Sequence, residues 1–394
     1  MSQSKKRAEF TEWVLFLQYD DSLRIEKNTF PQCRKDRPHD DTRRKKKHNN
    51  QHLYMKRQTL LAWIFTIAAT ITVNAQNIAL HSLTGVQIIK GNTALATAYT
   101  QAQNGDTLYL SGGSFTPPAV FDKQITIFGA GHYVDSTIAT GKTFINGNIT
   151  LSENADLFYL EGVEITGNFT ISTGHSVNNV VITRCKINGT FNVLGNLSNP
   201  TANLSLIGNV LMNRINLENV QNSILSNNII SNTFQSSNGN LISNNIIMGF
   251  IWGSSMDYLF FGSNNILNNN IILWEGYNAN INGSGNVFNN NLYVEPTPDY
   301  GIAATSFANY TGILQTAIFV NQTGTVFNYA HDYHLQTPST FLGTDGSEVG
   351  IYGGTFPYKE GAVPSTPHII RHSVEPSTSD GMLNVKIKAS AQDQ

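Results

Sequence analysis

Between about residues 203 and 294 the chain repeats one short phrase: an apolar residue, two or three Asn or small residues, then two apolar residues. It reads Leu206-Ile-Gly-Asn-Val210, Leu225-Ser-Asn-Asn-Ile-Ile230, Ile242-Ser-Asn-Asn-Ile-Ile247, Leu267-Asn-Asn-Asn-Ile-Ile272 and Phe288-Asn-Asn-Asn-Leu-Tyr293. The Asn before each apolar pair falls at 209, 228, 245, 270 and 291, at intervals of 19, 17, 25 and 21 residues. A period near 20 marks a repeat architecture. Apolar runs of two to four residues are too short for an amphipathic helix, and Ile, Val, Leu and Phe flanked by Asn and Gly read as strands bounded by turns. One coil of this kind is a rung of a single-stranded right-handed parallel β-helix, about 20–23 residues long. Equivalent residues then stack about 4.8 Å apart, Asn amides hydrogen-bond along the axis, and Asn tolerates the left-handed backbone of the turns.

Earlier rungs follow through Phe144-Ile-Asn-Gly-Asn-Ile-Thr150, residues 157–165, Phe169-Thr-Ile171 and residues 180–187. Two opposite-charge pairs recur at rung spacing, Glu161 with Arg184 and Glu164 with Lys186, and are expected to be exposed, structural pairs on the outer face. Ahead of the rungs, Thr93 is placed to cap a helix over residues 94–103, with Leu95, Ala98, Tyr99 and Ala102 on one face and Gly105 just past its end. A solenoid leaves an apolar end and open strand edges, so this helix is the expected N-terminal cap. After Phe356 the pattern changes. Pro357, Pro364, Pro367 and Pro376 punctuate a polar stretch, and Leu383-Asn-Val-Lys-Ile-Lys388 alternates like an edge strand, so residues 357–394 read as a linker and a short terminal strand.

The helix followed by Asn104-Gly-Asp-Thr-Leu-Tyr-Leu110, Gly-Gly-Ser-Phe115 and Ile125-Thr-Ile-Phe-Gly-Ala-Gly131 resembles the opening of pectin-lyase-like right-handed parallel β-helix proteins. Asp332-Tyr-His-Leu335, Gly343-Thr-Asp-Gly346 and Val349-Gly-Ile-Tyr-Gly-Gly354 are similar to the closing coil of secreted bacterial members. The resemblance covers roughly residues 90–356 and implies the fold. It implies no single activity, because polysaccharide lyases, hydrolases, adhesins and members of unknown role share that fold.

Charge divides the chain. Residues 1–58 hold 15 of the 25 Lys and Arg, including Arg43-Arg-Lys-Lys-Lys47, whereas from Gln76 onward 10 basic residues face 19 acidic ones, or −9. Met55-Lys-Arg57, a mostly apolar stretch over residues 60–73, and Val73-Asn-Ala75 have the order of a secretory signal with cleavage near Ala75. Its natural start is Met55, so residues 1–54 read as an over-extended start assignment, 55–75 as a signal peptide and 76–356 as the β-helix domain. The alternative is a signal anchor with a basic tail, but an apolar stretch of 14 residues falls short of the ~20 that span a bilayer. The expected location is secreted or cell-surface, with no stable membrane span in the mature chain. The negative mature charge argues against nucleic acid. Cys185 is the single Cys after residue 75, so no internal disulfide is expected there, and it reads as a small core residue.

Candidate chemistry is sparse. Asp257, Glu275 and Glu295 are separated by 18 and 20 residues and would sit on successive rungs, about 5–10 Å apart, within the range of glycosidase carboxylate pairs. They equally fit solvated turns. Trp252 and Trp274, 22 residues apart, with Tyr258 and Tyr277 nearby, are the candidate carbohydrate platform if exposed and ordinary packing if buried. His331, Asp332 and His334 lack a fourth ligand in sequence, so no metal site is assigned. Asp345, Gly346 and Glu348 leave calcium open, although their spacing is not that of an EF-hand loop. The expected function is a non-catalytic secreted or surface protein that binds glycan or another surface partner, needing no cofactor. The alternative is a polysaccharide lyase or glycoside hydrolase with an unrecognised site.

Overall fold

The computed structural model describes residues 76–394, apart from 233, 237, 250–259, 275–280, 363, 364, 366, 376–381 and 391–394. It is a parallel β-solenoid of about eight turns. Three sheets run along it, with twelve, nine and seven described strands. The rung length varies: 17 residues separate Asn228 from Asn245, and 25 separate Asn245 from Asn270. The registers still hold, with Leu225 beside Ile242 and Ile242 beside Leu267.

Each rung is built by the repeated phrase. Its first apolar residue, as in Leu206, Leu225, Ile242, Leu267 and Phe288, points inward from the twelve-stranded sheet into the core. An Asn then turns the corner in the left-handed region, with φ of 58°, 56°, 59° and 52° at Asn227, Asn244, Asn269 and Asn290. The next Asn turns inward. Asn209, Asn228, Asn245, Asn270 and Asn291 are buried and form the expected ladder, each donating its Nδ2 to the Oδ1 of the next at 2.9–3.0 Å, and Asn291 to Asn309 at 3.1 Å.

The two apolar residues that follow face opposite ways, since successive strand side chains alternate. Leu211, Ile230, Ile247, Ile272 and Tyr293 join the inner core. Val210, Ile229, Ile246, Ile271 and Leu292 point outward from the nine-stranded sheet, yet they are also buried, in a second cluster with Ile318, Phe319, Phe327, Tyr333, Leu335, Phe341, Val349, Ile351 and Tyr358. The segment expected to close the end of the solenoid therefore lies along its outside as a strap. The corner Asn row holds it there: Asn290 Nδ2 donates to Leu342 O (2.9 Å), Asn269 Oδ1 accepts from Thr344 N (2.8 Å), and Asn227 Nδ2 donates to Ile351 O and Gly353 O (both 2.8 Å). The strap thus climbs back along earlier and earlier rungs.

The α-helix Ala94–Gln101 buries Ala94, Leu95, Ala98 and Tyr99, and packs against the first hairpin, Asn77–Ser82 with Gly85–Lys90. Tyr99 meets Phe121 edge-on, with ring centroids 5.0 Å apart. Thr93 stands at the N-cap but makes no side-chain cap bond. Cys185 is fully buried, and burial pushes its thiol up to about 12. The expected single terminal strand has a partner in its own chain, because His368–Val374 and Val385–Ser390 form an antiparallel hairpin. Among the described residues, no helix is long and apolar enough to cross a membrane.

Candidate functional site

Most of the residues singled out by sequence fall where the structure is not described: Trp252, Asp257, Tyr258, Glu275 and Tyr277 lie outside the described residues. Trp274 is described and is only 3% exposed. It packs so closely over Gly249 that a Cβ there would lie 1.8 Å from its ring, which makes Trp274 a core residue with no open face for a sugar. Glu295 lies in a turn, its Oε1 accepting from the amide and hydroxyl of Thr297, both at 3.1 Å. The metal candidates make local bonds. His334 Nδ1 lies 2.8 Å from Asp332, Tyr333 OH lies 3.3 Å from His331 Nδ1, and Asp345 accepts from Ser347 N and Oγ. Burial pushes the Glu348 carboxyl up. Among the described residues no group of three His, Cys, Asp or Glu converges to hold an ion.

The two rung-spaced charge pairs are present but buried, contrary to the exposed pairs expected. Glu161 has 0% exposure and Glu164 6%, because the strap covers them. Glu164 accepts from Lys142 (2.6 Å), Lys186 (3.2 Å) and Asn188 (3.0 Å). Burial pushes its carboxyl up, but hydrogen bonds from Lys142 and Asn188 and the two ammonium charges outweigh this and leave it below the usual range. Above it the ring of Tyr329 receives both lysines, with Nζ 5.4 Å (Lys142) and 5.1 Å (Lys186) from its centroid. Beside it His132 is fully buried, and that burial lowers its imidazole to about 3.

Glu161 anchors a different feature. Its carboxylate accepts from Tyr159 OH (2.6 Å), Arg184 Nη1 (2.8 Å), Ser365 N (2.7 Å) and Ser365 Oγ (3.0 Å). Four donors fill its lone pairs, so it ties the end of the strap to the sheet. Arg184 occupies the corner position at φ 52°, where neighbouring rungs place Gly162 and Gly208 and later ones place Asn. A long side chain in the left-handed region costs about 1 kcal/mol, and here it aims the guanidinium back at Glu161.

Where the strap leaves the sheet at this point, a cleft of about 420 Å³ opens. Its floor is the outward face of three rungs, Tyr159, Val181, Thr183 and Ile207, aligned by the parallel registers of Tyr159–Glu161, Val181–Thr183 and Ser205–Ile207. Its far wall is strap residues 355–359. Tyr358 fixes that wall by bonding Tyr133 OH at 2.8 Å and Ile351 O, through its amide, at 2.7 Å. Phe356 is 59% exposed at the rim. Lys359 completes the lining and makes no ion pair with any described residue. Burial, then the Glu161 hydrogen bond, pushes the Tyr159 phenol far above its usual range, so it stays protonated and donates.

No family model, no curated protein and no solved structure matches this chain. The solenoid therefore rests on its own registers and ladders, and the cleft on its own geometry. The sequence reading passed over the cleft because the course of the strap decides it. One signal was present: Arg184 breaks the Gly/Asn pattern of the corner position.

Proposed function

We propose that this chain is a secreted or cell-surface β-helix protein of the pectin-lyase-like type, and that it binds glycan without turning it over. The observation that carries this reading is the cleft between the twelve-stranded sheet and the strap. A ring can lie against the apolar faces of Val181, Ile207 and Phe356 while Thr183, Thr355 and Lys359 meet its polar substituents. Such a mixture of apolar wall and few polar groups is what small-molecule and sugar sites are made of. The carboxylate beneath its lining, Glu161, is committed to four donors and has no exposure from which to move a proton. Export is supported by the signal-like order of residues 55–75.

A glycan array probed with the full chain, run beside assays for new reducing ends and for unsaturated uronate, tests the reading. Binding without product is the expected result. Product formation would replace it with the lyase or hydrolase reading.

A further inference from the structure

We propose that the C-terminal hairpin docks the protein on an anionic lipid surface, with its apolar face seated among the head groups and its basic residues meeting their phosphates. This goes beyond the glycan reading and does not depend on the cleft.

The hairpin is a sheet of its own. His368–Val374 and Val385–Ser390 pair with each other and with no other described strand. Residues 371–374 and 385–389 are exposed, and a lone two-stranded hairpin is marginally stable in water. Its root is nonetheless fixed, because Ser365, just ahead of His368, is bonded to Glu161 of the twelve-stranded sheet. A partner that covers the hairpin would supply the packing that the chain itself does not.

The register sorts its side chains. Opposed residues share a face, and successive residues alternate. Val374 with Val385 and His372 with Ile387 lie on one face, joined beyond a bulge by Ile369 with Ala389, and the exposed Met382 and Leu383 extend the apolar surface towards the turn. Ser373 with Lys386 and Arg371 with Lys388 lie on the other face. Like charges directly opposite each other are destabilising, and Arg371 and Lys388 stand in that relation. Neither strand contains a carboxylate, and the three cations make no ion pair with any described residue. Glu375, just past the first strand, accepts from Asn384 Nδ2 at 2.9 Å, and Asp380 lies in the connection, outside the described residues.

Two unanswered faces, back to back, narrow the partner. A soluble polyanion would answer the cations and leave the apolar face in water. A second hairpin packed face to face would cover the apolar face and leave the cations of both copies unmatched. An anionic bilayer answers both, since apolar side chains enter the interface while Lys and Arg stems carry their charges to the phosphates. Each cation near such a surface is worth about fivefold in binding.

Hydrogen exchange on the full-length chain, read at peptides covering residues 368–374 and 385–390, tests this without interference from other parts of the chain that touch lipid. Vesicles of phosphatidylcholine mixed equally with phosphatidylglycerol should protect both peptides, and vesicles of phosphatidylcholine alone should not. Arg371→Gln, Lys386→Gln and Lys388→Gln together should raise the lipid needed for half-protection about a hundredfold. Lys386→Arg with Lys388→Arg should leave it unchanged, and Val385→Thr with Ile387→Thr, which keep strand propensity, should raise it. No protection, equal protection by neutral lipid, or protection that survives the triple Gln variant overturns the inference. Protection that appears without lipid as protein concentration rises also overturns it and assigns the apolar face to a second copy.

Discussion

Asn245 shows how one residue type serves two purposes in this molecule. Its Nδ2 donates to Leu225 O on one side and to Asn270 Oδ1 on the other, both at 2.9 Å, and its Oδ1 accepts from the amide and side chain of Asn228. Replacing it with Leu removes the acceptor for two buried donors at once. A cost of about 3 kcal/mol is expected, read as a lower urea midpoint than for wild type. The Asn one position earlier, Asn244, faces outward at the corner and bonds the strap at Gly350 O instead. The same Asn-Asn pair thus builds an inner ladder and an outer row of anchors. Sequence period made the ladder legible, but it carries no information about what the outer row holds.

His132 gives a second test at this scale. Its folded-state value, about 3, lies below the unfolded value of 6.5, so the unfolded chain binds the proton more readily. Its contribution is present in full above pH 6.5 and is lost as pH falls toward 3. Glu164, also depressed, adds a further loss below its ordinary value of 4.5. Urea midpoints should therefore fall steadily on acidification from about pH 6.5, and His132→Phe should flatten the upper part of that slope. A midpoint unchanged between pH 7 and 5 in wild type would rule out the buried, neutral imidazole.

Among the elements, the strap is the one that sequence reading misplaced. The signal was in the two-residue strands. Ile229-Ile230, Ile246-Ile247 and Ile271-Ile272 must point to opposite faces, so an apolar residue on the outside of every rung requires a cover. The chain downstream supplies it with Phe319, Phe327, Phe341 and Val349. At Gly353 the strap folds tightly on itself against the solenoid: the Gly353 carbonyl accepts from Asn227, and an added Cβ would lie 1.7 Å from Glu348 O of the strap and 3.0 Å from Asn244 Nδ2 of the solenoid. Gly353→Ala must displace backbone, at about 1–3 kcal/mol. The expected readout is faster tryptic cleavage after Lys359, with the solenoid's far-ultraviolet spectrum retained. Cleavage at the wild-type rate would contradict the strap's dependence on this contact. The terminal hairpin behaves differently. Residues 385–389 of its second strand are exposed, and the hairpin's apolar Val374, Val385 and Ile387 lie open.

At the scale of the whole molecule, the chain is a parallel β-solenoid clad by its own C-terminal segment, and its export is a proposal. Export has its own check: N-terminal sequencing of protein recovered outside the cell should begin at Gln76, and any peptide from residues 1–54 would contradict the placement of the signal. The site was less legible than the fold, for a physical reason. Rung stacking repeats locally and leaves a period, whereas the cleft exists only where residues 355–359 cross Tyr159, Val181 and Ile207, far away in sequence. Trp274 looked like a platform on spacing alone and proved to be packing, because the small Gly249 lets its ring sink into the core.

Hydrogen exchange with and without a bound oligosaccharide tests the central claim most directly. The account predicts new protection confined to peptides covering residues 159–161, 181–184 and 355–359. Protection confined to peptides carrying Trp252, Asp257, Tyr258, Glu275 and Tyr277, with the cleft unchanged, would contradict it.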